Sequence, residues 1–177
     1  MDGALVLLLL LMLSNNNGLQ WGTGWTWPIP DLLTAEGVLR AEISQEFRRT
    51  GHRHLGVDLM YRRGKGWLVP EGTPALAARD GQVTRVDRTA RGVGVVVRHD
   101  DHWQTFYQHL ASATVRVGDR VKAGDAMGVV GADPTDPQRL VHLHFAVWHD
   151  GWGDAASVDP AAAMAAWSRL QRDAGVA

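Results

Sequence analysis

The chain has 177 residues with 18 Lys plus Arg against 19 Asp plus Glu, a net charge of −1. That size suits one domain with short additions, and the balanced charge argues against a nucleic-acid binder, which needs excess positive charge to meet phosphates. The sequence has no cysteine, so disulfides, thiolate metal sites and thiol catalysis are excluded; with 45% apolar and 21% charged residues a packed core is expected, and 20 glycines favour turn-rich β-structure.

Residues 1–13 form an apolar segment with five consecutive leucines, Leu7 to Leu11. The run Ala4 to Leu13 would be about 15 Å long as a helix, half the hydrocarbon core of a bilayer. It is too short to span and matches the length of a secretory hydrophobic region, although Asp2 stands where a basic residue is expected. A weak export signal, a shallow membrane association through residues 4–13 and a non-exported hydrophobic terminus are the readings open. Residues 14–39 are expected to be a linker. Its tryptophans Trp21, Trp25 and Trp27 are expected to pack over the following domain, the alternative being an interfacial aromatic belt.

Residues 40–159 read as all-β. Strands are predicted over Glu42–Phe47, Leu55–Met60, Pro74–Ala77, Gln82–Asp87, Gly94–His99, Trp103–Leu110, Thr114–Val117, Ala126–Val130 and Val141–His149. His99-Asp100-Asp101-His102 reads as a hairpin turn. The near-repeat Val117-Gly118-Asp119 and Ala123-Gly124-Asp125 predicts two successive turns in a sandwich or barrel-like element. Residues 160–177 are expected to form a C-terminal helix and tail, capped by Asp159, with Pro160 in its first turn and Met164, Trp167 and Leu170 on its buried stripe.

Eight histidines are the main candidates for metal ligation or acid–base work. In His142-Leu143-His144-Phe145-Ala146-Val147, strand alternation puts Leu143, Phe145 and Val147 on one face and both imidazoles on the other. Two plain surface histidines would show the same pattern. In His54-Leu55-Gly56-Val57-Asp58 the two polar residues lie roughly 13 Å apart along a straight strand. They converge only if the chain bends or side chains approach closely, which Gly56 permits; a surface ion pair is the bland reading. Together, a His and an Asp from this segment and one His of 142–144 would make a three-ligand site with an open position, the catalytic pattern for zinc. A lone His109 in Tyr107-Gln108-His109-Leu110 would usually be a hydrogen-bonded structural residue.

Taken in order, Gly51 to Asp58, Gly72-Thr73-Pro74, Ala78 to Gly81, Tyr107 to Leu110, Val117 to Asp125 and His142 to Phe145 resemble the lysostaphin-like zinc endopeptidases of peptidoglycan. The resemblance covers about residues 42–159. It implies the duplicated hybrid motif fold: an all-β, compact antiparallel β-sheet or sandwich whose groove holds the zinc site. It also implies His54, Asp58 and His144 as Zn2+ ligands, and His109 and His142 as catalytic residues beside the metal. Which of the two is the base stays open. Peptidoglycan peptides are the implied partner, and the cell envelope, secretion or a phage particle the implied location. Three features depart from the family: Ala132 to Leu140 replaces a Gly/Ser-rich loop, Tyr61 to Glu71 is long and basic, and Ala146 stands where many relatives carry Glu. His54 rather than His52 matches the ligand position, and His99, His102 and His149 are expected to be solvated. Two rival functions remain: a non-catalytic wall-binding or activator module on the same fold, and a lipoyl-like carrier domain using Lys122.

Overall fold

The computed structural model describes residues 19–174. The apolar segment 1–13 lies outside them. The elements in chain order are β1 (Asp31–Thr34), β2 (Gly37–Leu39), β3 (Ala41–Gln45), β4 (Val57–Arg63), β5 (Gly66–Leu68), β6 (Pro74–Leu76), β7 (Gly81–Thr89) and β8 (Gly92–Arg98). They continue with β9 (Trp103–Ala113), β10 (Arg120–Val121), β11 (Ala126–Val130), β12 (Leu143–His149), β13 (Ser157–Val158), α1 (Ala161–Met164) and β14 (Gln171–Asp173).

The main sheet runs β10-β7-β8-β9-β12-β4-β3, with β11 bridging β6 and β9, β5 added to β4 and β13 added to β12. All its pairings are antiparallel. Alternation builds its inner face: Val57, Leu59 and Tyr61 of β4, Trp103, Thr105 and Tyr107 of β9, and Leu143, Phe145 and Val147 of β12 are all at most 1% exposed. Burying a large apolar side chain contributes roughly 1.5–3 kcal/mol, so this face dominates the fold's stability.

The punctuation follows its local chemistry. Asp101 and His102 at the β8–β9 turn have φ of 57° and 63°, the left-handed pair that a two-residue hairpin turn requires. The near-repeat makes two matching turns. Asp119 accepts the Arg116 N–H on Oδ2, and Asp125 accepts the Lys122 N–H on Oδ2, each at 2.8 Å. Thr114 to Val117 is not a strand; β9 ends at Ala113, and the chain turns through Arg116–Asp119 with Val117 62% exposed. The basic segment after Tyr61 is the β4–β5 hairpin, where the Arg62 guanidinium lies 4.1 Å from the Trp67 ring centroid.

Both ends of the chain depart from the sequence expectation. Residues 31–39, expected as linker, form β1 and β2, and β1 pairs in parallel with β14. The predicted C-terminal helix is confined to Ala161–Met164, with Pro160 rather than Asp159 at its N-cap; Asp159 Oδ1 accepts the Ala161 N–H at 2.9 Å from one residue further out. Alanine propensity favours a longer helix, but tertiary contacts outweigh it. Trp167 stacks on Trp25 at 4.7 Å inside a cluster with Trp21 and Trp103. Ser168 bridges Thr26, and Arg169 forks onto buried Asp31 at 2.8 and 3.0 Å. A continuous helix could not present Trp167, Ser168 and Arg169 to three such partners in succession. Trp21, Trp25 and Trp27 are buried against the domain at 1%, 4% and 7% exposure.

Candidate metal centre

The site lies on the sheet face opposite the inner core. His144 of β12 pairs in register with Asp58 of β4 on one side and Gln108 of β9 on the other. His54 precedes β4 and is held by a bridge to Arg48, with the chain bending at Gly56. A Cβ on Gly56 would fall 2.6 Å from the Phe145 carbonyl oxygen and 2.8 Å from the His144 ring. Only glycine lets the His54 segment pass so close to β12.

Three donor atoms converge. His54 Nε2, Asp58 Oδ1 and His144 Nδ1 are each 3.0 Å from the other two. Tetrahedral zinc with bonds of about 2.0–2.1 Å separates its ligand atoms by about 3.3 Å, so the triangle is of the right size. The proton arrangement also fits a cation. The Glu46 carbonyl lies 2.8 Å from His54 Nδ1, and a carbonyl only accepts, so that nitrogen carries the proton. In the neutral ring Nε2 is then a lone pair aimed at Asp58 and His144. Converging lone pairs and a carboxylate repel one another unless a positive ion lies among them. Burial opposes the charge on Asp58, yet positive charge beside it, as the His144 and His54 rings supply when protonated, holds its carboxyl well below the usual range. Burial likewise opposes the His54 cation, but Asp58 and the Glu46 carbonyl raise its pKa overall. His54, Asp58 and His144 could therefore hold a metal ion.

Two further imidazoles stand beside the triangle. The His142 Nδ1–H donates to the Leu140 carbonyl at 3.0 Å and its Nε2 lies 3.8 Å from Asp58 Oδ1. The His109 Nδ1–H donates to the Arg91 carbonyl at 3.0 Å, and the His109 and His142 ring centroids are 4.7 Å apart. Burial pushes the His109 pKa down to about 4, helped by neighbouring His142, so this ring is neutral near pH 7. His54, His109 and His142 thus share one device: a backbone carbonyl holds Nδ1–H and leaves Nε2 free.

His109 reaches the groove by a route that alternation does not predict. It shares odd parity with core-facing Trp103, Thr105 and Tyr107. The β8–β9 register shifts between Val93, opposite Leu110, and Val95, opposite Tyr107, which leaves one extra residue in β9. His109 sits in that bulge with φ 64°. The bulge turns its ring out of the core, and Gly92, whose Cβ would lie 3.1 Å from the Leu110 carbonyl oxygen, gives the kinked backbone room.

Sequence reasoning missed several groups here. Asp133 is 8% exposed; its Oδ1 accepts both the N–H and the hydroxyl of Thr135, at 2.8 and 2.6 Å, while Oδ2 lies 3.8 Å from His109 Nδ1. The Asp-Pro-Thr order was the available signal, since an Asp two residues before Thr commonly closes such a turn. The replaced loop 132–140 therefore brings a carboxylate behind His109. The groove is a 510 Å³ hollow whose walls include Arg53, Gln108, Asp136 and Asp154. Of the histidines expected to be solvated, His102 is exposed, but His99 is 5% exposed. Its Nδ1–H donates to the Asp80 carbonyl at 2.9 Å, and Nε2 accepts from Thr105 Oγ1 at 2.8 Å.

Two imidazoles and a carboxylate converging on one point, with an open side facing a groove and two further imidazoles alongside, have the chemistry of a hydrolytic metal centre. The chain belongs to peptidase family M23, whose sequence profile matches residues 53–160. It is 29% identical over 140 residues to the cell division protein DipM of Caulobacter vibrioides, covering 77% of this chain and 20% of that one. It is 37% identical over 84 residues to the peptidoglycan DD-endopeptidase ShyC of Vibrio cholerae, covering 47% of this chain and 19% of that one. The chain thus matches about a fifth of the length of these curated relatives. The catalytic domain of the antimicrobial peptidase lysostaphin from Staphylococcus simulans shares the fold, with TM-score 0.55, 24% identity, and coverage of 69% of this chain and 89% of that one.

Proposed function

We propose that this chain is a zinc-dependent endopeptidase that hydrolyses peptide cross-links or stem peptides of bacterial peptidoglycan at the cell envelope, outside the cell or on a phage particle. The observation that carries the reading is the 3.0 Å triangle of His54, Asp58 and His144, flanked by two imidazoles whose Nε2 atoms face the groove. Zinc bound there would polarise the scissile carbonyl and bring the pKa of a water at the open position to about 7. His109 and His142 share the proton work. Each has its Nδ1 held by a backbone carbonyl and its Nε2 toward the groove, where it can take a proton from water, stabilise the developing oxyanion in its protonated form and return the proton to the leaving amine. Asp133, against His109 Nδ1, favours the imidazolium that forms there.

Release of free amino groups from purified peptidoglycan tests this. The expected result is release that a chelator abolishes and zinc restores, with His142→Ala keeping zinc but losing turnover. Stoichiometric zinc without release from several wall types would leave a wall-binding or activator module in place of an enzyme.

A further inference from the structure

The groove floor continues past the metal centre. One face of β12 carries, in order, His144, Ala146 and Trp148, and the paired residues of β9 are Gln108, Phe106 and Gln104. Val96 of β8 pairs with Phe106. Val96, Ala146 and Trp148 form a small apolar cluster, apart from the main core, against which Phe106 and Ala156 pack. Phe106 stacks on Trp148 at 5.5 Å and 18°, and Trp152 meets Trp148 edge-on at 6.4 Å and 69°. Trp152 is 69% exposed. Its loop holds it out: Gly151 accepts a bond from Gln104 Nε2 at 2.6 Å, the Ser157 hydroxyl donates to Gly153, and Asp154 pairs with Arg53 at 2.6 Å. Between these groups lies a 260 Å³ trough lined by Thr84, Arg85, Val96, Gln104, Trp148 and Trp152.

Resting on the hydrolase reading above, we propose that this trough is a saccharide subsite, seating the sugar strand of peptidoglycan while the attached peptide enters the metal centre. A pyranose has a face of C–H bonds that settles on the negative face of an indole, and a rim of hydroxyl and amide groups that needs hydrogen bonds. Trp152 offers the first, above a floor that includes buried Trp148; Arg85, Thr84 and the side-chain oxygen of Gln104 offer the second. A peptide strand is the poorer occupant. β8, β9 and β12, which carry Val96, Gln104 and Trp148, each have neighbours on both sides; β7 is paired with β10 only at Gly81 and Gln82, and a strand added to its remaining edge would lie beside it in the plane of the sheet, not on the face that carries Trp148. Trp148 is four residues from His144 along one strand, about 13 Å, a distance that an extended peptide of about four residues bridges between sugar and metal centre.

The test uses the full chain, Trp152→Ala and Trp152→Phe. Calorimetric titration uses the β-1,4-linked tetramer of N-acetylglucosamine, and cleavage is compared between whole sacculi and a sugar-free cross-linked peptide. The wild type should bind the tetramer, Trp152→Ala should weaken binding about tenfold, and Trp152→Phe should keep most of it. The ratio of sacculus to peptide cleavage should fall about tenfold in Trp152→Ala. Three results would each overturn the subsite: no tetramer binding by the wild type, equal binding by Trp152→Ala, or equal losses on both substrates. Vesicle binding that needs Trp152, without sugar binding, would assign the trough to a membrane surface instead. If the wild type cleaves neither substrate, the hydrolase reading fails while the titration still decides whether the trough binds sugar.

Discussion

Replacing His109 by glycine and, separately, by alanine isolates the backbone strain at the groove. Both variants lose the imidazole, its bond to the Arg91 carbonyl and its packing, so those losses cancel in the comparison. What remains is the backbone at φ 64°. There an L-residue with a Cβ costs roughly 1–2 kcal/mol, which glycine avoids. Glycine in turn loses about 0.5–1 kcal/mol more chain entropy on folding. The net expectation is that His109→Gly is more stable than His109→Ala by about 1 kcal/mol, or about 3 °C in melting temperature for a chain of this size. An ordinary strand position gives the opposite order, so the sign alone is informative. Thermal unfolding of both variants at one zinc concentration measures it. If His109→Ala melts higher, the bulge does not hold this residue in the left-handed region, and the account of how the ring leaves the core is wrong.

His99 gives a pH dependence that does not involve the metal centre. Burial pushes its pKa down from 6.5 to about 4, because the fold favours the neutral ring. The stability it contributes is therefore complete above pH 6.5 and is lost as pH falls towards 4, by about 3 kcal/mol in all. Urea midpoints between pH 7 and 4 should fall more steeply for wild type than for His99→Asn, which can still donate to Asp80; equal slopes would refute the assignment. At the other end of the molecule, Arg169 neutralises Asp31, whose side chain is only 5% exposed, and also donates to the Ala41 carbonyl. Arg169→Ala should cost about 3 kcal/mol in denaturant unfolding, since it leaves a buried carboxylate unpaired. Arg169→Lys should recover little, lacking the two-pronged fork; a loss below about 1 kcal/mol for the alanine variant would show that β14 docks without the pair.

The parts legible in the sequence were those set by side-chain period and by single-residue backbone demands. Leu143, Phe145 and Val147 face the core and His144 the groove because strand alternation leaves no other choice once the apolar trio is buried. Gly56 and the two Gly-Asp turns could be read because few residues other than glycine meet those conformations or approaches. The C-terminal strand could not be read the same way. Its alanines carry a local preference for helix, while the partners that override it, Trp25, Thr26 and Asp31, lie about 140 positions away in sequence. His99 escaped for a related reason, since its two hydrogen bonds exist only after β8, β9 and the segment at Asp80 meet.

The deepest gap concerns the groove itself. The groups that fix the protons of His54, His109 and His142 are the main-chain carbonyls of Glu46, Arg91 and Leu140. Every residue supplies a carbonyl, so no side-chain pattern marks these three. What makes each one effective is the path of the backbone: the Arg48–His54 bridge, the β9 bulge and the turn before β12. Imidazoles at matching positions would be chemically mute without those bends, because a ring free to choose its tautomer presents a lone pair to the groove only part of the time. In this chain the nitrogen that each ring turns toward the groove is set by where the backbone bends. The histidines can thus be nominated from sequence, but their proton states are properties of the fold.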